Sequence, residues 1–397
     1  MAEIRTGSGE IRTIAYYLPQ YHSIPENDNA WGKGFTEWTN TKRAKPLFEG
    51  HYQPKTPLNE NYYNLTDVNV MVEQAELAKE HGIFGFCYYH YWFKNGKKLL
   101  EKPIEQMLKE EKVKIPFCLS WANENWSKLW DGGNQEIIVE QDYGDKQDWK
   151  MHLDYLVQFF RDPRYITLDG KPVLLIYKPD IIPNVQKMLK YWQEQAQEYG
   201  FPGFCFMIQS PGLFYSPEYS LGEFSYQIKF PPFFCIVRNT KDMNQLRWQQ
   251  SVYAILRKLK VDRIAKELIS KVRANREAKR RKIQEELTIV DYDDTWKTLL
   301  NSEDSQEFIE GALVDWDNTA RKTNGYVHRG ATPEKFGFYM KQLIAKIKKT
   351  GQEPIVFINA WNEWAEGAYL EPDEKNEYRY LEKLREALCK SKGEDIG

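Results

Sequence analysis

The chain has no apolar run long enough to span a bilayer, and its first ten residues, Met1 to Glu10, are polar and lack an apolar signal core. That pattern predicts a soluble, cytoplasmic protein with no transmembrane segment. An excess of one charge is also missing. The 55 Lys and Arg against 57 Asp and Glu leave a formal net charge of -2, which gives no electrostatic basis for nucleic-acid binding. Cysteine is scarce and odd in number: Cys87, Cys118, Cys205, Cys235 and Cys389. The first three lie in apolar, strand-like runs, so we read all five as free thiols in a reducing compartment. No two of them sit at zinc-ligand spacing with a partner pair, so no structural metal is expected. Glycine-rich nucleotide loops of the GxGxxG or GxxxxGK[ST] kind are absent after every candidate strand.

Aromatic residues, by contrast, are abundant. They form 15% of the chain, with 13 Trp and 25 Tyr, a supply that suits stacking on sugar rings as well as core packing. The most telling stretch is Phe357-Ile358-Asn359-Ala360-Trp361-Asn362-Glu363-Trp364-Ala365-Glu366-Gly367. It reads as a buried strand running into two carboxylates and two indoles. Unpaired buried carboxylates cost several kcal/mol, so packing alone is a poor reason for them. Two carboxylates, one handling a proton and the other serving as base or nucleophile, are what glycoside chemistry uses.

Short apolar runs bounded by turn residues recur along the 397 residues: Thr13–Leu18, Ile83–Tyr89, Ile115–Trp121, Val173–Lys178, Gly203–Gln209, Ser225–Phe230, Ala312–Trp316 and Ile355–Ala360. Amphipathic helical patterns separate most of them, clearest over Asp67–His81, with Asp as N-cap and Gly82 as stop. Eight strands alternating with helices predict an α/β fold, a (β/α)8 TIM barrel spanning 1–397 as a single catalytic domain. A doubly wound open sheet is the alternative. The span 239–311 is too long for a simple crossover, and its basic, helical middle (Arg257-Lys258, Arg273, Lys279-Arg280-Arg281-Lys282) predicts an inserted helical hairpin between strands six and seven. A solvated charged helix pair is the plain reading. A platform for an anionic glycan, or peripheral contact with an anionic membrane surface, is the functional one.

In a barrel the carboxyl ends of the strands share one face. Here they carry Leu18-Pro19-Gln20-Tyr21-His22, Tyr88-Tyr89-His90-Tyr91-Trp92, Trp121-Ala122-Asn123-Glu124-Asn125-Trp126, Asp315-Trp316-Asp317-Asn318-Thr319 with Arg321, and the strand-eight carboxylates. These motifs resemble those of the WbsX-like proteins, relatives of glycoside hydrolase family 99, the endo-acting α-mannosidases and mannanases. The resemblance runs nearly the whole length. It includes Trp31-Gly32-Lys33-Gly34-Phe35-Thr36-Glu37-Trp38-Thr39-Asn40, Gly50-His51-Tyr52-Gln53-Pro54 and Leu370-Glu371-Pro372.

The resemblance implies a (β/α)8 barrel and retaining hydrolysis through a 1,2-anhydro sugar. Glu363 would be the general base on the sugar 2-hydroxyl and Glu366 the general acid/base. Substrate contacts are expected from Tyr17, Gln20, His22, Glu37, Trp38, Tyr89, His90, Trp92, Trp121, Asn123, Glu124, Trp126, Trp316, Asp317, Asn318, Arg321, Trp361 and Asn362, with no metal and no cofactor. Two departures bear on the sugar: Ala365 stands where family 99 places His, and Lys229 stands where this branch is expected to carry an acid. The expected partner is an oligo- or polysaccharide. The leading function is an endo-acting hydrolase of an α-linked, mannose-like glycan. A glycosyltransferase or transglycosylase of O-antigen or capsule assembly is the alternative, and a non-catalytic glycan-binding barrel a third.

Overall fold

In the computed structural model, residues 1–5, 9–128, 136–209, 221–239, 287–302 and 305–389 are described. Eight parallel strands close into a barrel: β1 Arg12–Tyr17, β2 Ile83–Trp92, β3 Phe117–Trp121, β4 Lys171–Ile176, β5 Cys205–Ile208, β6 Tyr226–Ile228, β7 Phe308–Leu313 and β8 Ile355–Asn359. Every neighbouring pair is parallel, and closure comes from β8 against β1, where Ile355 faces Arg12 and Ile358 faces Ala15. The (β/α)8 expectation therefore holds. In order around the barrel the helices include α1 Glu37–Arg43, α2 Val68–Glu80, α3 Lys102–Lys109, α4 Lys146–Phe160, α5 Val185–Gln195, α6 Phe233–Asn239, α7 Tyr292–Leu300, α8 Pro333–Thr350 and α9 Arg379–Cys389. Among the described residues no helix is long and apolar enough to cross a membrane.

Local sequence explains where the helices begin and end. Asp67 caps α2 by accepting the Asn69 amide, and Thr332 caps α8 by accepting the Lys335 amide, each satisfying a donor the first turn leaves unpaired. Pro333 sits at the first turn of α8, where a missing amide hydrogen costs nothing. The barrel interior is filled by aromatic rings: Tyr16 of β1 packs on Tyr89 of β2, on Phe230 after β6 and on Phe357 of β8, with centroids 5.1 to 5.8 Å apart. Burying each such ring contributes roughly 1.5–3 kcal/mol. The cysteines are all free, with Cys87 and Cys118 side by side in adjacent strands.

One strand boundary is corrected. The seventh strand runs over Phe308–Leu313 and not over Ala312–Trp316. Glu310 and Gly311 look like loop residues, yet Glu310 is wholly buried and paired to Lys229 at 2.6 Å and Lys346 at 3.1 Å. A Cβ on residue 311 would lie 2.1 Å from the Lys229 carbonyl, so the close approach of β6 and β7 requires glycine there. Most of the expected insertion, 240–286, lies outside the described residues. After it the chain forms Thr288–Asp291, paired in parallel with Tyr326–Arg329, and then α7, whose Tyr292 and Trp296 are buried.

Candidate active site

The carboxylates follow β8. Glu363 ends a two-residue strand, Asn362–Glu363, and Glu366 ends the tight turn Trp364–Glu366 that follows. Gly367 closes that turn at φ +64°, and a Cβ there would lie 2.9 Å from the Asp317 amide nitrogen. The turn is tied across to the β7 end by the Asp317 amide, which donates to the Glu366 carbonyl at 2.6 Å. Asp317 is in turn held by His51 at 2.8 Å, Gln53 at 2.7 Å and the Thr319 hydroxyl at 2.5 Å. On the other side, Asn362 clamps the end of β1, accepting from the Leu18 amide at 2.7 Å and donating to its carbonyl at 3.0 Å.

A single cation organises the pair. Arg321 donates through Nη1 to Glu366 and through Nη2 to Glu363 at 3.2 Å and Glu37 at 2.6 Å, while its Nε donates to Glu37 at 3.0 Å. Glu37 is delivered by α1; Ala44, just past the end of that helix, packs on Ala320 and Ala365. One guanidinium cannot neutralise three carboxylates in a buried site. Burial first, then the neighbouring Glu366, push the Glu363 carboxyl well above its usual range, and burial raises Glu366 as well. Both carboxyls are therefore held toward the protonated form relative to a free carboxylic acid. Glu363 is 6% exposed and Glu366 more open. Burial and the closer Arg321 contact to Glu366 thus favour the resting proton on Glu363.

Strand alternation sorts the other expected residues. Tyr89 lies inside, close enough to feel the charges of Glu363 and Glu366, and its hydroxyl accepts from Gln209, which accepts from Ser120. His90 and Trp92 point outward beneath α4: His90 meets His152 at 2.9 Å, and Trp92 stacks on the same imidazole. Trp121 packs on His152 and Trp192, and Tyr17 donates to Gln74 of α2. Trp361 packs on Phe86. The first four are placed between barrel and helices because adjacent residues on a strand face opposite sides, whereas Trp361 lies between the end of β8 and the Asn362–Glu363 strand.

Asn123 clamps the Lys178 backbone, and Glu124 pairs with the Lys178 ammonium at 2.6 Å. Trp126 donates to Asn27 and packs on Tyr91; Asn318 accepts the Tyr326 amide; Trp316 is buried against Phe233. The Gln20 carbonyl accepts the Glu37 amide, and His22 holds the Pro19 carbonyl, with burial lowering its imidazole to about 4. Trp38 donates to the Tyr63 carbonyl and packs on Trp364. Lys229, ion-paired to Glu310 within the barrel wall, is not part of this constellation.

Sequence reasoning quoted Tyr91, Trp364 and Glu371 within its motifs without counting them as site residues, and it placed Tyr177 only within a strand. Tyr91 and Tyr177 sense the charges of both Glu363 and Glu366. Tyr91 was discoverable as the next inward position after Tyr89, and Tyr177 as the first residue past β4. A cleft of about 580 Å3 opens beside α1, the helix that delivers Glu37, and is lined by Tyr21, Trp38, Lys42, Arg43, Tyr62 and Tyr63 among others. Among the described residues no cluster of three His, Cys, Asp or Glu side chains forms a metal-binding group.

Comparison with known proteins agrees with the barrel. The family model described as Glycosyltransferase WbsX matches residues 13–384. The protein WxcX of Xanthomonas campestris pv. campestris is 33% identical over 381 residues, a stretch covering 95% of this chain and 50% of WxcX. The chain thus spans about half the length of the curated relatives it matches. Among solved structures, the family 99 endo-α-mannosidase of Bacteroides thetaiotaomicron superposes with a TM-score of 0.52 at 13% identity, covering 96% of this chain and 99% of its own. A glycoside hydrolase-like protein gives a TM-score of 0.53 at 12% identity, covering 96% and 94%. Identities this low speak to the fold alone.

Proposed function

This chain belongs to the WbsX family, and we propose that it is a retaining, endo-acting glycoside hydrolase cleaving an α-linked, mannose-like polysaccharide with Glu363 and Glu366. The observation that carries the reading is the pair itself: the buried Glu363 and half-buried Glu366, bridged by one guanidinium past the end of a barrel strand, with both carboxyls raised above their usual range. A proton donor and a proton acceptor within reach of one side chain are what glycosidic cleavage needs.

In the proposed cycle Glu363 takes the proton of the sugar 2-hydroxyl. The freed oxygen bonds to the anomeric carbon, and the bond to the leaving oxygen breaks as Glu366 donates its proton there. Water then opens the three-membered ring. Glu366 takes a proton from the water, and Glu363 returns one to the 2-oxygen, so both groups are restored and configuration is retained. The resting proton order favoured by burial is the reverse of what the first step needs. A proton shift between the coupled carboxylates turns one state into the other. Tyr89, Tyr91 and Tyr177, the aromatic residues that sense both charges, suit a sugar ring.

A sugar-transferring reading is favoured by the family's description as a glycosyltransferase. Against a nucleotide-sugar donor stands the charge of the site: three carboxylates share one arginine, which repels a diphosphate. Transglycosylation needs no such donor, since a sugar hydroxyl simply replaces water. The deciding experiment incubates the protein and its Glu366→Gln variant with mannose- and rhamnose-containing polysaccharides and follows new reducing ends by mass spectrometry. Chain shortening by the unmodified protein alone supports hydrolysis, extension of an added acceptor supports transfer, and equal turnover by the variant removes Glu366 from the chemistry.

A further inference from the structure

Several carboxylates in this barrel have a cation beside them: the buried Glu37 and Glu363 and the half-buried Glu366 share Arg321, the half-buried Asp315 faces Lys55, and the buried Glu310 has Lys229 and Lys346. Glu371 differs, as does Asp373, which accepts from the Tyr369 hydroxyl and from Asn376. Glu371 is 8% exposed and is held by neutral donors: Gln74 Nε2 at 2.6 Å on one oxygen, and the Tyr63 hydroxyl at 2.9 Å and Trp364 Nε1 at 2.6 Å on the other. An ionised carboxylate without a counter-charge is costly to bury, and an apolar residue would serve packing at lower cost. Its three partners explain its presence. Trp364 lies between Glu363 and Glu366 in the catalytic turn, its ring stacked on Tyr369 at 3.9 Å. The Tyr63 hydroxyl also accepts from Asn362 at 3.3 Å, the residue before Glu363. Gln74 belongs to α2, part of the outer helical layer.

We propose that Glu371 is a positioning residue for the catalytic turn: as a carboxylate it pulls Trp364, and through Tyr63 Asn362, onto the α2 layer and so fixes where Glu363 and Glu366 stand against Arg321. The inference rests on the reading of Glu363 and Glu366 as the working pair. All three partners donate, so a protonated Glu371 must give up at least one of them or share it poorly. Burial raises its carboxyl to about 7, so the anchor loosens as pH falls through neutrality. The titratable groups facing it are Tyr17 from β1 and Tyr21 and Tyr63 from the loops after it, all pushed upward by burial and therefore neutral at that pH.

The test uses the full chain, a Glu371→Gln variant and nitrogen-15 NMR of two reporters. These are the Trp364 indole N–H, assigned with Trp364→Phe, and the Arg321 Nε–H, assigned with Arg321→Met. In the unmodified protein both signals should move together with one midpoint near pH 7. In Glu371→Gln both should be displaced and lose that midpoint. With a turned-over glycan in hand, Glu371→Gln should lower kcat roughly 10–100-fold with little change in KM, the scale found where groups that orient metal ligands are lost. A Trp364 signal that titrates while Arg321 stays in place would overturn the proposal, leaving Glu371 a packing group; so would an unchanged kcat. The NMR arm needs no substrate. Failure of every glycan to react would therefore count against the hydrolase reading alone, while the two reporters still decide the positioning role.

Discussion

Arg321→Met is the sharpest perturbation of this site, because it removes the charge shared by three carboxylates, two of them buried, while keeping an unbranched side chain. At an effective dielectric of about 20, unit charges at the 3.2 Å of Arg321 and Glu363 attract by about 5 kcal/mol. The desolvation that Arg321 itself endures offsets part of this. Removing one partner of a buried pair typically costs about 3–5 kcal/mol, because the other charge is left uncompensated.

The sign of the pH dependence follows from the direction of the carboxylate shifts. Glu363 and Glu366 already hold their protons more tightly folded than unfolded, and Arg321 is what limits that shift. Without it both are raised further. A carboxyl raised in the folded state costs stability where it must ionise, and that cost disappears as pH falls to its unfolded value of about 4.3. Urea unfolding should therefore find Arg321→Met destabilised by about 4 kcal/mol at pH 8 and by less than about 2 kcal/mol at pH 5. An equal loss at both pH values would refute the reasoning, since it would mean that the guanidinium packs but does not balance charge.

Roles within the pair can be separated with leaving groups. On an activated aryl glycoside the general-acid variant should recover most of its activity, because that oxygen departs without protonation. We expect recovery in Glu366→Gln and none in Glu363→Gln; the opposite pattern, read from initial rates, would assign the proton as the resting geometry holds it. His90→Leu tests the outward placement of that residue: stability should fall by about 1–3 kcal/mol as His152 loses its partner, with turnover unchanged within experimental error. Burial lowers His90 to about 3 and His152 further, so in the unmodified protein both stay neutral when folded, and stability is lost as pH drops below about 6.5. His90→Leu should show a shallower acid loss by urea unfolding. Lys229→Met should likewise spare activity, and Glu310 keeps Lys346 at 3.1 Å, so the expected cost is modest, about 1–3 kcal/mol in the same assay.

The eight-fold alternation was legible in the sequence because barrel strands buried on both faces must be short apolar runs, and helices between them must be amphipathic. Strand seven was misplaced for the same reason. Glu310 and Gly311 look polar and flexible. They become strand residues only because two lysines from other elements neutralise the carboxylate and the β6 backbone leaves no room for a side chain at 311. The motif around Glu363 and Glu366 was visible because carboxylates and indoles at a strand end have no cheap packing explanation. The same reasoning ran too far at Tyr88 to Trp92, where it gathered residues from both faces of one strand. His90 and Trp92 look as chemically equipped as Tyr89, but the pleat turns them to opposite sides.

Period, polarity and composition along the chain were thus enough to expect the barrel, the face that carries the chemistry and the two glutamates proposed to perform it. The company those glutamates keep came from the three-dimensional arrangement alone. The Arg321 that bridges Glu37, Glu363 and Glu366 and the neutral cage around Glu371 both join residues far apart along the chain. A buried charge is stabilised by what surrounds it in space, and linear spacing does not carry that information.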